Sequence, residues 1–346
     1  CLRIPVYGDL SPSYCKGLDW LALSDITPHD IHPWVAEAGT RVRFGISIFP
    51  QPVDWRQFIA IVQDAERDGI DAYFSYDHPQ SRADCWTALS ALAASTSTIR
   101  LGTAVDCIYY RSPYMLARQA ADVDRLSGGR LILGLGIGDN VPEFRRMGLE
   151  FPPTGQRMRG MEETITIVRG LWSGEHFEHQ GEQWSASSGD GFLGPVQEPR
   201  VPIMLAGGGE KVTLRQVATY ADASNMGAHP WIGNATTTTD IARKFEKLDG
   251  YLAEVGRDPQ SVLRSQFTMP LVMAENEHAL QTKLDGMPQD VLEWCGDALF
   301  AGTPTETIAF YEELVRCGFR YFIANILDGD DDTIRLMGKY LVPHFS

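Results

Sequence analysis

The stretch SYDHPQ places two titratable side chains, Asp77 and His78, directly after an apolar run that reads DAYFSY. Histidine titrates near neutral pH, and a neighbouring carboxylate can tune it, so this pair could donate or accept a proton in a reaction. The alternative is a solvated loop that carries both groups without a function. The position of the pair at the end of a predicted strand favours a role in proton transfer. The arrangement of the surrounding elements decides between this role and a solvated loop.

A glycine run, AGGGEKVTL, follows another apolar segment and leads into a predicted helix. Glycines let backbone N–H groups approach an anion closely, and the start of a helix adds a favourable partial charge. The run therefore suits the phosphate of a bound cofactor. The alternative is a strand-to-helix turn in which glycine only supplies unusual dihedral angles.

A third candidate, GLGIGDN, ends an apolar run with Gly138, Asp139 and Asn140. Asp139 could act as an acid or bond to a cofactor ring, or it could be an ordinary helix N-cap. The spacing lacks the last glycine of the dinucleotide fingerprint G-x-G-x-x-G, and the segment lies on the fourth predicted strand. Both features argue against a Rossmann nicotinamide site.

Alternating strands and helices from Arg41 onward supply the frame for these groups. Predicted strands cover residues 43–49, 71–76, 98–106, 129–138, 201–207, 221–227, 264–274 and 320–327. The first four follow one another at roughly 30 residues, the size of a βαβ unit, and are apolar on both faces. We predict an α/β fold, a (β/α)8 TIM barrel, with a doubly wound sheet as the alternative, because alternation alone does not show closure.

Two segments stand apart from this rhythm. EHFEHQGEQWSAS (175–187) alternates around a glycine and predicts a hairpin insertion near strand five. Residues 1–40 are rich in proline and show no clear periodicity. We expect them to form an N-terminal extension of uncertain order, ahead of a barrel domain that spans residues 41–346.

Composition limits the partners. With 30 basic and 45 acidic residues the formal net charge is −15, which argues against nucleic acid or an anionic membrane. The six cysteines include no CxxC pair, which is typical of reduced, cytoplasmic cysteine. His176 and His179 lack a third ligand at metal spacing, so no metal is expected. We expect a cytoplasmic protein that acts on a small molecule.

Together, FSYDHP, TSTIRLGTAV, LARQAADVDRLSGGRLILGLGIGDNVPEFRRMG and PVQEPRVPIMLAGGGEKVTLRQVATYADASN resemble the luciferase-like monooxygenase superfamily over about residues 41–345. DHP after strand two and GGGEKVTLR after strand five favour the branch that uses the deazaflavin coenzyme F420 over the FMN enzymes. The resemblance implies a (β/α)8 barrel with an insertion near strand five, a homodimer, and an isoalloxazine-type ring lying across the strand ends.

The resemblance also implies a site. His78 and Asp139 would be catalytic, and a non-proline cis peptide at Ala104–Val105 would back the ring. The implied cofactor-binding residues are Asp77, His78, Thr103, Ala104, Val105, Gly138, Asp139, Asn140, Gly207, Gly208, Gly209 and Glu210. Further candidates for meeting the anionic tail of the cofactor are Arg111, Lys211 and Arg215.

Three functions follow from these expectations. The first is an F420-dependent oxidoreductase that transfers a hydride between the reduced deazaflavin and a small organic substrate. The alternative is an FMN-dependent monooxygenase that uses dioxygen, and oxygen dependence separates the two. The third is a cofactor carrier, which predicts tight binding without turnover. The substrate itself is not readable from the sequence, because loop identity rather than fold determines it.

Overall fold

A closed barrel of parallel strands forms the centre of the computed structural model, which describes residues 31–49, 51–189 and 191–346. The strands of these residues are β1 (Arg43–Phe49), β2 (Ala72–Ser75), β3 (Arg100–Thr103), β4 (Asp106–Cys107), β5 (Leu131–Gly136), β6 (Glu178–Gln180), β7 (Ser185–Ser187), β8 (Ile203–Ala206), β9 (Ala223–Met226), β10 (Leu263–Thr268), β11 (Leu271–Met273), β12 (Phe300–Gly302) and β13 (Tyr321–Leu327). Eight of them build the barrel, in the order β1, β2, β3, β5, β8, β9, β10 and β13. It closes because β1 pairs with β13 and β3 pairs with β5. The TIM-barrel prediction is therefore confirmed, and the doubly wound sheet is excluded.

Helices surround the barrel. In the described residues they are α1 (Pro33–Ala36), α2 (Trp55–Arg67), α3 (Cys85–Ser95), α4 (Pro113–Ser127), α5 (Val141–Arg146), α6 (Thr154–Trp172), α7 (Thr213–Tyr220), α8 (Thr238–Glu254), α9 (Glu277–Asp285), α10 (Gln289–Cys295), α11 (Pro304–Arg316), α12 (Asp331–Leu336) and α13 (Val342–Phe345). Their ends follow local chemistry. Ser112 caps α4 by accepting from the Met115 amide at 3.3 Å, and Gly128 ends that helix at φ 72°.

Neighbouring residues of one strand serve two separate cores. Tyr73 packs in the large cluster between strands and helices, whereas Phe74 belongs to a smaller cluster that includes Ile132. This is the alternation of a strand whose two faces are both covered. Glycine makes room for the inner ring, because a Cβ at Gly45 would lie 2.8 Å from Phe74 Cε2 and one at Gly102 only 2.5 Å from Cε1.

The insertion before strand five is present, whereas two predicted strands are wrong in extent. In the chain, β6 and β7 lie between β5 and β8, and they pair antiparallel with each other, as the hairpin prediction required. The segment 98–106 is interrupted at the Ala104–Val105 peptide bond, because β3 ends at Thr103 and β4 begins at Asp106.

The segment 264–274 was expected to be a single strand. Instead β10 ends at Thr268, and β11 leaves the barrel to pair with β12. Pro270 lies between the two strands and has no N–H to donate, so the ladder cannot continue through it.

The segment just before β1 packs against the amino-terminal side of the barrel. Trp34 is fully buried, and its ring meets Tyr321 edge-on at 5.4 Å between centroids. His32 Nε2 lies 2.9 Å from the carbonyl oxygen of Arg200. Residues 1–30 of the expected extension lie outside the described residues, so a domain boundary after residue 40 stays a prediction.

Candidate active site

His78 and Glu143 form a hydrogen-bonded pair at the rim where the barrel strands end. His78 follows β2, and Glu143 lies in the first turn of α5, after β5. Nδ1 of His78 is 3.0 Å from each carboxylate oxygen of Glu143. Because the imidazole is 43% exposed and Nδ1 is engaged, Nε2 is the ring nitrogen left to bond a guest.

The carboxylate of Glu143 is itself held firmly. It is nearly inaccessible to solvent and also accepts from Tyr110 Oη at 2.8 Å. Burial disfavours the imidazolium form of His78, but the Glu143 carboxylate, with Asp139 and Asp77, outweighs it and raises the pKa of His78 above 6.5. Burial likewise acts to raise the pKa of Glu143, but hydrogen bonds from His78 and Tyr110 outweigh it and leave that pKa lowered.

Asp77 belongs to an ionic network beneath the rim. Arg111 donates to its two oxygens at 2.7 and 3.0 Å, and the same guanidinium donates to Asp106. The Trp86 indole N–H also donates to Asp106, at 2.8 Å. Burial and the charge of Asp77 raise the pKa of Asp106 to about 8, although Arg111 opposes this. Both carboxylate oxygens of Asp77, the neighbour of His78, are therefore engaged by Arg111.

The backbone after β3 has the expected shape. The Ala104–Val105 peptide bond is cis without a proline, as the resemblance implied. Thr103 is fully buried, and its hydroxyl donates to the Gly134 carbonyl oxygen at 2.6 Å. The side chain of Thr103 thus ties β3 to β5, and the backbone of Ala104 and Val105 lies at the rim.

The turn after β5 presents Asp139 to solvent. Gly138 adopts a φ of 75°, and its carbonyl oxygen accepts from the buried Arg157. Asn140 caps α5, because its Oδ1 accepts from the Glu143 amide at 3.3 Å. The N-cap of α5 is therefore Asn140 and not Asp139. Asp139 is exposed, near His78.

The glycine run after β8 forms an open backbone cradle. Gly207 has a φ of 111°, and a Cβ on Gly208 would lie 2.9 Å from Gly233 Cα. Among the described residues, none accepts a hydrogen bond from the amides of Gly208, Gly209 and Glu210. Unpaired N–H groups ahead of a helix can bind an anion.

Two lysines lie at or beside this cradle: the exposed Lys211, which follows the glycine run in the chain as the sequence suggested, and Lys244. Lys244 is mostly buried and donates from Nζ to the Gly208 carbonyl oxygen at 2.7 Å. Arg111 is already shared by two carboxylates, and Arg215 pairs with Glu254 at 2.7 Å. These contacts leave Lys244 as the cation that directly supports the glycine run.

Sequence reasoning missed Glu143, Tyr110 and the aromatic loops after β9 and β10. Glu143 stands three residues after the cap Asn140, a spacing typical of a capping box, so its contact with His78 was hidden. Trp231 and Trp294 follow the sixth and seventh barrel strands. The triplet HPW at residues 229–231 was the available signal, because it repeats the strand-end histidine and proline of DHP.

The described residues contain neither a candidate metal-binding cluster nor a candidate membrane-spanning helix. No group of three or more His, Cys, Asp or Glu side chains is arranged there to hold a metal ion. His176 is largely exposed, as expected for a surface histidine, and His179 lies 3.8 Å from Glu163. None of the described helices combines the length and apolarity that a membrane crossing requires.

Comparison with known proteins agrees with this barrel. A sequence model described as luciferase-like monooxygenase matches residues 34–317. The chain belongs to this family. Its relatives within and around the luciferase-like family carry out more than one kind of redox chemistry.

Three relatives show that range. The 5,10-methylenetetrahydromethanopterin reductase of Archaeoglobus fulgidus is 26% identical, over 87% of this luciferase-like chain and 99% of its own length. The oxygenase component of the flavin-dependent trigonelline monooxygenase of Acinetobacter baylyi is 32% identical, over 43% of this chain and 42% of its own. The solved coenzyme F420-dependent tetrahydromethanopterin reductase of Methanopyrus kandleri superposes with a TM-score of 0.73 at 23% identity, covering 89% and 100% of the two chains.

Proposed function

We propose that this luciferase-like protein is an F420-dependent oxidoreductase that transfers a hydride between the deazaflavin and a small organic substrate. The observation that carries the proposal is the His78–Glu143 pair, which lies on the same rim as a cis peptide after β3 and an open glycine cradle after β8. Loops at this rim form the active sites of barrels of this type.

The cradle fits the phosphate end of such a cofactor. Its amides from Gly208 to Glu210 have no acceptor in the described protein, and the φ of Gly207 suits glycine alone. A side chain at position 208 would occupy the space against Gly233. We therefore assign Gly207, Gly208, Gly209 and the Glu210 amide to phosphate binding, with the Lys244 ammonium adding positive charge beside them.

Another part of the rim, after the second and third barrel strands, fits the ring. The backbone of Ala104 and Val105 would support one face, and His78 Nε2 would bond to the ring edge or to a transferred proton. When bound, F420 supplies the hydride chemistry, and the protein supplies orientation and exclusion of water. Glu143 fixes the His78 imidazole and keeps a proton on Nδ1, and exposed Asp139 adds negative charge beside it.

Support for F420 comes from the relatives. The reductase of A. fulgidus spans nearly all of this chain, and the solved M. kandleri enzyme with a related name is F420-dependent. The trigonelline monooxygenase, whose name states a flavin, matches less than half of the chain. That match keeps an FMN-dependent monooxygenase as the second candidate.

Parallel titrations of the purified protein with F420 and with FMN test the proposal. We expect saturable binding of F420, followed by cofactor fluorescence and absorbance, and weaker binding of FMN. The variant Gly208→Ala should bind F420 less tightly, and Gly250→Ala, whose added Cβ meets nothing within 4 Å, should bind like the parent. Tight FMN binding with no F420 binding would replace the first candidate by the second.

We also infer a homodimer, as the resemblance implied, and a cytoplasmic location, as the cysteine usage suggested. Exposed apolar side chains on α4 and the segment after β7 offer one contact surface, which includes Met115, Leu126, Leu193 and Val196. Light scattering coupled to size exclusion measures the mass. A monomer at micromolar concentration would remove the dimer from the proposal and leave the chemistry unaffected.

A further inference from the structure

Five aromatic side chains line one half of the barrel mouth, and we name this set the aromatic arc. Its members are Phe49, Tyr76, His229, Trp231 and Trp294. The Phe49 ring lies 5.1 Å from Tyr76 and stacks on Trp294 at 5.9 Å. Trp294 continues to Trp231 at 5.6 Å and to His229 at 5.9 Å. Each contact falls within the range of attractive ring pairs.

The arc faces the cis peptide across the barrel. Phe49 ends the first barrel strand and Tyr76 follows the second, whereas the other three members follow the sixth and seventh. The Ala104–Val105 bond follows the third strand, which is diametrically opposite the seventh in an eight-stranded barrel. A guest supported by that bond therefore has the part of the arc that contains Trp294 as its opposing wall, and Tyr76 at its side.

The two tryptophans of the arc are unusually open. Trp294 is 39% exposed and Trp231 is 45% exposed, although each makes ring contacts with its neighbours. Indole rings that remain exposed at the mouth of a cavity offer large flat apolar faces to a ligand. A planar apolar molecule can cover such a face over its full area.

Charge at the arc favours neutral and cationic guests. Asp139 is exposed in the turn after β5, on the same rim as the arc, and its carboxylate adds negative charge there. Arg82, the cation beside Tyr76, is matched by Asp328 at 2.6 Å. An anion entering here would meet the Asp139 carboxylate and find Arg82 already paired.

We propose that the aromatic arc is the substrate wall, and that it takes a planar, uncharged or cationic organic molecule stacked on Trp294 and rejects phosphorylated or otherwise anionic substrates. The proposal rests on the proposed function for the place of the cofactor. Planar contact comes from the exposed indoles, cation preference from their π-faces and Asp139, and exclusion of anions from that same carboxylate.

Calorimetric titration of three probes tests the arc: quinoline, N-methylquinolinium and glucose 6-phosphate, each without and with saturating F420. We expect the two planar probes to bind, with F420 present as well as absent, and glucose 6-phosphate to give no saturable heat once F420 occupies the glycine cradle. Trp294→Ala should weaken both planar probes on the order of tenfold. Trp55→Ala is the matched control, because Trp55 is 40% exposed and its ring contacts Phe58 instead of the arc.

The outcomes separate this inference from the function on which it rests. Saturable glucose 6-phosphate binding in the presence of saturating F420, or equal probe binding by the Trp294→Ala and Trp55→Ala variants, would overturn the substrate class while leaving F420 binding intact. Displacement of the planar probes by F420 would show that the arc is a cofactor wall and would also overturn it. Probe binding that depends on Trp294 in a protein unable to bind F420 would support the arc and contradict the proposed function.

Discussion

Nδ1 of His78 lies 3.0 Å from both carboxylate oxygens of Glu143, a contact that joins loops sixty-five residues apart in the chain. The carboxylate is buried, while the imidazole is half-exposed. The hydrogen bond between His78 Nδ1 and the Glu143 carboxylate therefore holds a proton at a fixed place between the loop after β2 and the helix after β5. That arrangement leaves Nε2 as the ring nitrogen without a hydrogen bond to the described residues.

Replacing Glu143 by glutamine should lower the pKa of His78. Burial lowers the pKa of the His78 imidazole, and the negative charge of Glu143, which opposes this effect most strongly, is absent in the variant. Nitrogen chemical shifts of the His78 ring followed against pH measure the change. Glu246→Gln, on the exposed side of α8, is the control and should leave the titration where it is. An unchanged midpoint in Glu143→Gln would mean that the contact does not govern the ring.

The same pair should make stability depend on pH in a defined window. The raised pKa of His78 stabilises the fold fully below 6.5 and loses this effect as pH rises through the folded-state value. The lowered pKa of Glu143 contributes above 4.5 and is lost as pH falls through its folded-state value. Urea unfolding of the parent and of Glu143→Gln should therefore differ most between pH 4.5 and 6.5.

The size of that difference should be small. The imidazole is 43% exposed, so solvent screens the pair, and we expect ~1 kcal/mol or less. If the difference in free energy of unfolding between the parent and Glu143→Gln increased from pH 6.5 to pH 9, it would contradict stabilisation by the His78–Glu143 pair.

A methyl group at position 208 should weaken binding of a phosphate-bearing cofactor about tenfold or more. The added Cβ would approach Gly233 Cα at 2.9 Å and Lys244 Nζ at 3.2 Å, which closes the cradle. Fluorescence titration with F420, and with its core lacking phosphate and tail, measures the effect. Equal losses for the two ligands would show that Gly208→Ala acts on the fold instead of on the phosphate.

The barrel and part of its rim were readable from the sequence because they depend on local patterns. Strands such as Arg43–Phe49 are apolar on both faces, and the ends of α4 carry their own caps at Ser112 and Gly128. The cis peptide at Ala104–Val105 and the hairpin before strand five also appear where the resemblance placed them.

Contacts between distant loops were not readable. Glu143 looked like a first-turn acidic residue, and nothing local shows that it reaches His78. The same holds for Asp77, whose carboxylate is held by Arg111 from a later loop. Trp231 and Trp294 lie in separate loops, and closure of the barrel is what brings their rings within 5.6 Å.

Trp34 should be important for stability, although it precedes the first barrel strand. The side chain is fully buried against Tyr321, with the Arg43 guanidinium 5.8 Å from its ring centroid. Trp34→Ala should reduce the free energy of unfolding by about 3–5 kcal/mol, the range for large buried aromatics. Val53→Ala, at a side chain 71% exposed, should change it by about 0.5 kcal/mol or less. Equal values for the two variants would place residue 34 outside the folded unit.

One titration tests most directly whether the rim forms a single cofactor site. Nuclear magnetic resonance can follow the His78 ring and the amides of Val105 and Gly208 while F420 is added, with the Gly250 amide as reference. The account predicts that the first three signals shift along one saturation curve with a common Kd and that Gly250 does not move. Movement of His78 while Gly208 stays unchanged, or two unrelated binding curves, would contradict it.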